Sequence, residues 1–289
     1  MQRIPAATAA AAPTRPVRGI DVQPVARLDE LVPSSSSAFR VRIKGDPIAA
    51  GRAAAEEVAQ ILRQALAEQG AARVVFAAAP SQQHMLDALA TAPDIDWSRV
   101  TAFHMDEYIG LPAEAPQRFG NWLGAAFFQR VPLKAAHLID PGPDPQEAAR
   151  HYARLLAERP IDLVCLGIGV NGHLAFNDPP VADLADPLDV KVVQLDEVCR
   201  QQQVDDGCFP TFGEVPGEAL TLTIPRLLNA RHLVGVVIGP RKQTAVRSTV
   251  LDPIGEACPA TALRTHSDCT LYLDTAAAAL LPPEAGDAS

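Results

Sequence analysis

The sequence predicts an α/β protein with a mostly parallel sheet flanked by helices on both faces. Three observations predict it. Short apolar segments alternate with segments of helical period along most of the chain. The segment at residues 161–168 is apolar except for Asp162, as expected of a strand covered on both faces of a parallel sheet. Strands separated by helices of this length form β-α-β units, so the predicted arrangement is Rossmann-like.

The predicted elements follow one another in a regular order. Apolar residues at helical spacing predict a first helix at residues 48–66, and an apolar run that enters a turn at Pro80 and Ser81 predicts a strand at 72–79. The same two patterns predict the other elements: helix 82–90, strand 100–103, helix 119–128, helix 147–157, strand 161–168, strand 219–222, a helix near 225–229, strand 232–238, helix 242–250 and strand 269–273.

The first 38 residues differ from the rest of the chain. They are rich in Ala, Pro and Ser and lack a sustained period, so we expect residues 1–38 to form a flexible extension. With 289 residues, of which 48% are hydrophobic and 20% charged, the chain is long enough for one large domain or two small ones. We favour one, a single α/β domain at residues 39–289.

Composition narrows the classes of partner and compartment. The net charge of -9 argues against nucleic acid as a partner, because binding to its phosphate backbone needs a basic face. No apolar run approaches the length of a membrane span, and the alanine-rich stretch at residues 6–12 makes a poor signal peptide. The five cysteines include no C-x-x-C pair, so neither a disulfide framework nor a zinc site is predicted, and we expect a reducing, cytoplasmic location.

The most informative segment follows the apolar strand at 161–168. Three glycines there, the last of them Gly172, permit positive φ angles and a close ligand approach. They lead to His173 and, five residues on, Asp178. Because ligands of open α/β sheets bind beyond the carboxyl ends of the strands, we expect these two side chains to form an acid/base pair in a crevice. The alternative is a turn histidine that is hydrogen-bonded to the backbone.

A second group of polar residues follows an earlier strand. Asp106 and Glu107 come shortly after residues 100–103, and Gly110 marks the turn behind them. Asp106 should therefore lie at the same edge of the sheet as His173, where a carboxylate can serve as a general base. Taken alone, Asp106 is interpreted equally well as a helix N-cap.

Together these motifs resemble the glucosamine-6-phosphate deaminase family, within the superfamily that includes 6-phosphogluconolactonase. The resemblance is carried by AFHMDEYIGLP at residues 102–112, LGIGVNGHLAFNDPP at 166–180 and the strand-to-helix turn VVIGPRKQTAV at 236–246. It extends over residues 40–282 and implies a catalytic domain of the sugar-phosphate isomerase type. The implied function is conversion of an amino sugar phosphate, above all glucosamine-6-phosphate, to fructose-6-phosphate and ammonia. The implied ligand is a sugar or sugar phosphate, with no metal, nucleotide or other cofactor.

The resemblance implies roles for individual residues. Asp106 matches the general base that moves a proton between C2 and C1 of the open-chain sugar. His173 matches the histidine that protonates the ring oxygen, and Asp178 the carboxylate that orients it. Asn171, where the family has Asp or Asn, completes the implied catalytic set. Lys242 matches a lysine that contacts the substrate phosphate. Beside these, the predicted substrate-binding residues are Ser81, Gln82, Gln83, Glu107 and Gly172.

Three departures from the family pattern bear on the substrate. Asp178 stands where the family usually has Glu, so its hydrogen bond to His173 is expected to be longer or to require a shifted backbone. The glycine- and threonine-rich phosphate loop is replaced by APSQQH at residues 79–84. The helix that follows still favours an anion through its free amides, whereas the glutamines can equally bind hydroxyls of a neutral sugar. Gln203 stands near the family's arginine, with Arg200 three residues away.

Two other functions stay open. One is a lactonase for 6-phosphogluconolactone, which is disfavoured because Tyr108 stands where lactonases typically have an arginine. The other is a sugar-phosphate sensor without turnover, which the altered phosphate loop favours. For Lys242 the alternative interpretation is a solvated residue in the first turn of its helix. Arg241 is expected to be a surface charge. Self-association into a homo-oligomer also stays open.

Overall fold

The structure of the protein, a computed structural model, describes residues 38–179 and 181–283. The extension predicted at residues 1–38 lies outside the described residues except for its last position. Its flexibility and the bounds of the single domain therefore stay predictions. No helix within the described ranges is long and apolar enough to cross a membrane.

Strands and helices alternate along the described chain. The strands are β1 (Ala38–Lys44), β2 (Ala72–Phe76), β3 (Val100–His104), β4 (Asp106–Tyr108), β5 (Ala135–His137), β6 (Ile161–Leu166), β7 (Val190–Gln194), β8 (Glu218–Leu222), β9 (Ala230–Val237) and β10 (Asp268–Asp274). The helices are α1 (Pro47–Gln69), α2 (Gln83–Ala90), α3 (Phe119–Leu123), α4 (Pro145–Ala157), α5 (Glu197–Asp205), α6 (Ile224–Leu228) and α7 (Gln243–Leu251). Short 3₁₀ turns at Pro80–Gln82 and Pro240–Lys242 precede α2 and α7, and a π-helical turn at Gly124–Phe128 continues α3.

Seven strands form one sheet in the order β1-β10-β9-β6-β2-β3-β5, and every neighbouring pair is parallel. The predicted α/β class with a mostly parallel sheet is confirmed. The other three strands form a separate antiparallel sheet in the order β4-β8-β7. The strand predicted at residues 219–222 corresponds to β8, so it belongs to this small sheet rather than to the large one.

Apolar layers cover both faces of the large sheet. Val74 and Phe76 of β2 point to one face, where they pack in the same core as α1 and α2. Val75, between them, points to the opposite face, where it shares a core with residues of α4, α7 and β8. Because successive side chains of a strand alternate between faces, β2 must be apolar throughout to bury both.

Most elements missed by the sequence analysis are short or lie at an edge; the exception is α5, a helix of nine residues. β1 alternates Phe39, Val41 and Ile43 with basic residues, the pattern of an edge strand with one covered face. β4 and β5 have only three residues each, too few to show a period. The strand predicted at 72–79 ends at Phe76, so the last three residues of that prediction form a loop instead.

We predict that Gly51 permits the close packing of α1 on α2. A Cβ at this position would lie 2.5 Å from the Cβ of His84 and 2.8 Å from the backbone nitrogen of Met85. Gly51→Ala should therefore lower the free energy of unfolding by about 1–3 kcal/mol, although alanine favours helix. Urea unfolding followed by circular dichroism measures the change. Gly45→Ala is the control, since nothing lies within 4 Å of a Cβ there. Equal unfolding midpoints for the two variants would contradict the prediction.

Candidate active site

Four adjacent strands of the large sheet end at one cavity. The cavity has a volume of about 420 Å³ and is lined by the loops that follow β2, β3, β6 and β9. These loops lie at the carboxyl ends of parallel strands, the position at which open α/β sheets bind ligands. The polar side chains in its wall include Ser81, Asp106, His173, Gln203, Arg241 and Lys242.

The glycine loop after β6 is a tight turn built around the imidazole of His173. The backbone N–H of Gly169 donates to the carbonyl of His173 at 2.9 Å. A Cβ on Gly169 would lie 2.2 Å from the His173 ring, so the imidazole occupies the space that this glycine leaves free. Gly172 has a φ of +85° and packs on Cys258, whose Sγ would lie 2.4 Å from an added Cβ. Gly172 is not among the residues that line the cavity, and its contact with substrate stays a prediction.

His173 is held by a carboxylate rather than by backbone. Its Nδ1 lies 2.8 Å from Oδ1 of Asp178, so the shorter carboxylate does reach the ring and the expected longer contact is wrong. Asn171 donates from Nδ2 to the same oxygen at 2.9 Å and accepts the backbone N–H of His173 at 3.1 Å. Burial by itself raises the pKa of Asp178, but the charge of His173 and the hydrogen bonds from His173 and Asn171 lower it below its ordinary value. Asp178 and Asn171 stand behind the cavity wall and support His173.

Asp106 faces the same cavity from the start of β4. It is 6% exposed, and its backbone pairs with Thr221 of β8. Since it lies in a strand, the alternative of a helix cap is wrong. Burial raises the pKa of Asp106 well above its ordinary value, and the charges of Glu107 and Asp178 raise it further. A carboxyl group with a raised pKa can take up and release a proton closer to neutral pH, as a general base must.

Glu107, next in the chain, has a structural role. Its carboxylate is fully buried and accepts the backbone N–H groups of Tyr108 at 2.9 Å, Phe119 at 3.0 Å and Gly120 at 2.9 Å. These bonds satisfy free amides at the start of α3 and place Phe119 in the cavity wall. Glu107 itself lies outside the cavity, so its predicted contact with substrate is corrected.

The two glutamines of the altered loop also point away from the cavity. Gln82 is fully buried and donates from Nε2 to the carbonyl of Val236 at 3.1 Å and to Oγ of Ser81 at 3.2 Å. Gln83 begins α2 and its side chain hydrogen-bonds Asp87. The predicted contact of Gln82 with substrate is therefore corrected, and that of Gln83 stays a prediction. Of this loop, Ser81 is the predicted residue that lines the cavity.

The cavity has a cationic end, formed by the turn after β9. Lys242 lines the cavity and is only partly exposed, so the alternative of a solvated lysine is not what the structure shows. Burial lowers the pKa of Lys242 to about 8, against the opposing effect of Asp206. Arg241 also lines the cavity and pairs with Asp206 and Asp205, while its side chain stays 50% exposed, so the predicted surface charge is confirmed and also borders the cavity. The sequence could have indicated that Arg241 borders the cavity, because it stands next to Lys242 in the matched motif.

Helix α5 contributes the amide of Gln203 to the cavity wall and not the charge of Arg200. Gln203 is 7% exposed and lines the cavity. Arg200 turns the other way, where its Nη2 donates to the carbonyls of Phe212 at 3.1 Å and Val215 at 2.8 Å and its guanidinium lies over the Phe212 ring. Arg200 therefore supplies no charge to the cavity.

Comparisons with known proteins agree with this geometry. The model of the family described as glucosamine-6-phosphate isomerases/6-phosphogluconolactonase matches residues 45–272. The chain belongs to this family. A glucosamine-6-phosphate deaminase of Exiguobacterium is 39% identical over 187 residues, which cover 64% of this chain and 71% of that protein. A protein of the same name from Streptococcus gordonii is 32% identical over 223 residues, covering 77% of this chain and 92% of that protein.

Solved structures of the family share the fold. A monomeric glucosamine-6-phosphate deaminase superposes with a TM-score of 0.77 at 27% identity, covering 83% of this chain and 99% of that one. A 6-phosphogluconolactonase from Thermotoga maritima superposes with a TM-score of 0.67 at 19% identity, covering 82% of this chain and 99% of that one, a likeness of fold alone.

We predict that anion binding at Lys242 weakens as the pH rises through about 8. The ammonium is charged below this pKa and neutral above it, so affinity for an anion should fall by up to about tenfold per pH unit on the alkaline side. Titration calorimetry with sulfate between about pH 6 and about pH 10 tests this, because sulfate keeps its charge over the range. Lys242→Arg should bind sulfate with little pH dependence, since the guanidinium stays protonated. The same alkaline loss in both proteins would contradict the assignment.

Proposed function

We propose that this protein is a glucosamine-6-phosphate deaminase, which converts glucosamine-6-phosphate and water to fructose-6-phosphate and ammonia. One observation carries the proposal. Asp106 and His173, which follow different strands and lie 67 positions apart in the chain, face the same cavity, and Lys242 lies in its wall. The proposed catalytic groups are Asp106 and His173, with Asp178 and Asn171 as supports. No metal or other cofactor takes part in the proposed steps.

Ring opening is the proposed task of His173. The protonated imidazole donates to the ring oxygen of the sugar while the bond between that oxygen and C1 breaks, and the C1 hydroxyl releases its proton to water, which leaves an open-chain aldehyde. Asp178 holds Nδ1 at 2.8 Å, so Nε2 is the nitrogen available to the cavity. The carboxylate also stabilises the charged form of the ring that must give up the proton.

Proton transfer between two carbons is the proposed task of Asp106. The carboxylate removes the proton from C2, which produces an enol-type intermediate, and returns it to C1. The product is an imine at C2, which water hydrolyses to the ketose and ammonia. A carboxylate whose pKa is raised by burial is a stronger base than an exposed one, and one group can reach both carbons because they are adjacent.

Phosphate recognition is assigned to the cationic end of the cavity. Lys242 and Arg241 supply positive charge, and the hydroxyl of Ser81 lines the same cavity. Two cations with hydrogen-bonding groups form a suitable environment for a phosphate dianion. The amide of Gln203 adds a neutral donor there.

The lactonase alternative has less support. Tyr108, at the position where the resemblance places an arginine, is 1% exposed and packs against Phe119, Phe176 and Phe209. It contributes an aromatic ring to the core and no cation to the cavity. The relatives from Exiguobacterium and Streptococcus gordonii, at 39% and 32% identity, both carry the deaminase name.

We predict that Asp106→Asn abolishes most of the deaminase activity. The amide cannot accept the C2 proton, so kcat should fall by about 10²–10⁴-fold. Ammonia release from glucosamine-6-phosphate is measured alongside exchange of the C2 proton with deuterated water, which should be lost in parallel. Asp140→Asn, at an exposed carboxylate outside the cavity, is the matched control.

Three outcomes would overturn the proposal. Ammonia release by Asp106→Asn at the unaltered rate would remove the proposed base. Binding of the sugar phosphate without C2 exchange in the unaltered protein would indicate a sensor. Acid release from fresh 6-phosphogluconolactone above the spontaneous rate, without ammonia from the amino sugar, would indicate a lactonase.

We predict that Gly169→Ala displaces His173 and slows catalysis without unfolding the protein. The added Cβ would lie 2.2 Å from the imidazole, which must move. A shift of about 1 Å in a catalytic group can cost on the order of 10²-fold, so kcat should fall by about that factor. Gly213→Ala, where nothing lies within 4 Å of a Cβ, is the control. An unchanged kcat in Gly169→Ala would show that the ring position is not critical.

The substrate class, the cellular location and self-association have different degrees of support. A sugar phosphate is consistent with the family to which the chain belongs. The cytoplasmic location inferred from cysteine usage stays a prediction, and so does assembly into a homo-oligomer. Cell fractionation and light scattering of the purified protein would test them.

A further inference from the structure

The two oxygens of the Asp178 carboxylate differ in their surroundings. Oδ1 receives Asn171 and lies against His173. Oδ2 is buried and has no hydrogen-bond partner, sulfur included, among the described residues. A buried carboxylate oxygen without a donor is costly, because the charge has lost its water. Some group close to Oδ2 should therefore stabilise it.

The thiol of Cys199 lies close enough to take this role. Its Sγ, a carboxylate oxygen of Asp178 and a ring nitrogen of His173 all lie within 4.8 Å of one another. Cys199 is 0% exposed, so water does not compete for its thiol. Burial raises the pKa of Cys199, and the charge of Asp178 raises it further. The thiol thus keeps its proton and can act only as a donor toward a carboxylate.

The backbone holds Cys199 in this place from two directions. Cys199 lies in the first turn of α5, where its N–H donates to the N-cap carboxylate of Asp196 at 2.6 Å. One turn later, Oε1 of Gln202 accepts the backbone N–H of Val170 at 2.9 Å. This second bond docks α5 on the glycine loop that carries His173. The helix is therefore fixed relative to the carboxylate that its cysteine contacts.

We propose that Cys199 is a positioning residue, which donates its S–H to Asp178 and holds this short carboxylate against His173. The inference rests on the proposed deaminase function. A glutamate at position 178 would reach the imidazole with an extra methylene. The aspartate has less freedom of placement, so it depends on the amide of Asn171, which donates to it at 2.9 Å, and, in this proposal, on the nearby thiol of Cys199.

A bound metal is the other chemistry that these three side chains could support, since histidine, carboxylate and thiolate are all zinc ligands. Two features favour the hydrogen bond. His173 and Asp178 already approach to 2.8 Å, which leaves no room for an ion between them without a rearrangement. Cys199 is absent from the cavity wall, so an ion has no open path to its sulfur.

The test compares Cys199→Ser with Cys199→Ala. The two replacements have similar volumes, but only serine keeps a donor. Cys199→Ala should lose roughly tenfold in kcat, the kinetic equivalent of one hydrogen bond to a charged group, with little change in KM. Cys199→Ser should retain most of kcat. Cys269→Ala removes another fully buried thiol, in β10, and should lower stability without this pattern.

The pH profile separates positioning from packing. Loss of a donor raises the pKa of Asp178, so the acidic limb of kcat should move to higher pH in Cys199→Ala and stay in place in Cys199→Ser. Asp178→Glu should reduce the loss caused by Cys199→Ala to less than about threefold, because the longer carboxylate depends less on the thiol.

The outcomes distinguish this inference from the proposed function. If the unaltered protein releases no ammonia from glucosamine-6-phosphate, the proposed function fails. If it does, equal kcat values and equal pH profiles for Cys199→Ala and Cys199→Ser overturn the positioning role. Stoichiometric Zn²⁺ binding by the purified protein that is lost in Cys199→Ala would also overturn it, in favour of a metal site.

Discussion

The parallel pairing of β9, β6, β2 and β3 is the constraint on which the site depends, because it brings four carboxyl ends to one edge of the sheet. Each loop at that edge then contributes a different group: a serine after β2, a carboxylate after β3, an imidazole after β6 and two cations after β9. Both faces of these strands are packed with apolar side chains, so the edge is rigid. Chemistry on a sugar needs this rigidity, since the groups that move protons must keep their distances.

The imidazole of His173 is held in place by close packing and by a series of hydrogen-bonding neighbours. The ring fills the space beside Gly169, and Asp178 holds one of its nitrogens. Asn171 and Cys199 in turn stand around that carboxylate. Each support limits the freedom of the next group, so the orientation of one imidazole depends on residues from the glycine loop and from α5. In such an arrangement the placement of the shorter carboxylate depends on its neighbours as well as on its own backbone.

Many polar residues near the cavity stabilise the loops rather than contact a ligand. Glu107 satisfies the amides at the start of α3, and Gln82 joins the loop after β2 to β9. Both are fully buried. Their bonds to backbone explain why charged and amide side chains occur beside the site without entering it. The groups left for the substrate are few, which is how a small cavity becomes selective.

Local patterns in the chain were enough to predict the α/β class, most of the helices and central strands, and the placement of Asp106 and His173 at strand ends, because periodicity and glycine turns are local properties. Lys242 was predicted through a resemblance. Which polar side chains face the cavity depends instead on tertiary packing. Gln82 and Glu107 turn inward to backbone partners 154 and 12–13 positions away, Arg241 borders the cavity while paired with Asp205 and Asp206, and Cys199 lies near Asp178 across 21 positions. Such contacts arise from the way loops pack against one another, and no local pattern of residues records that packing.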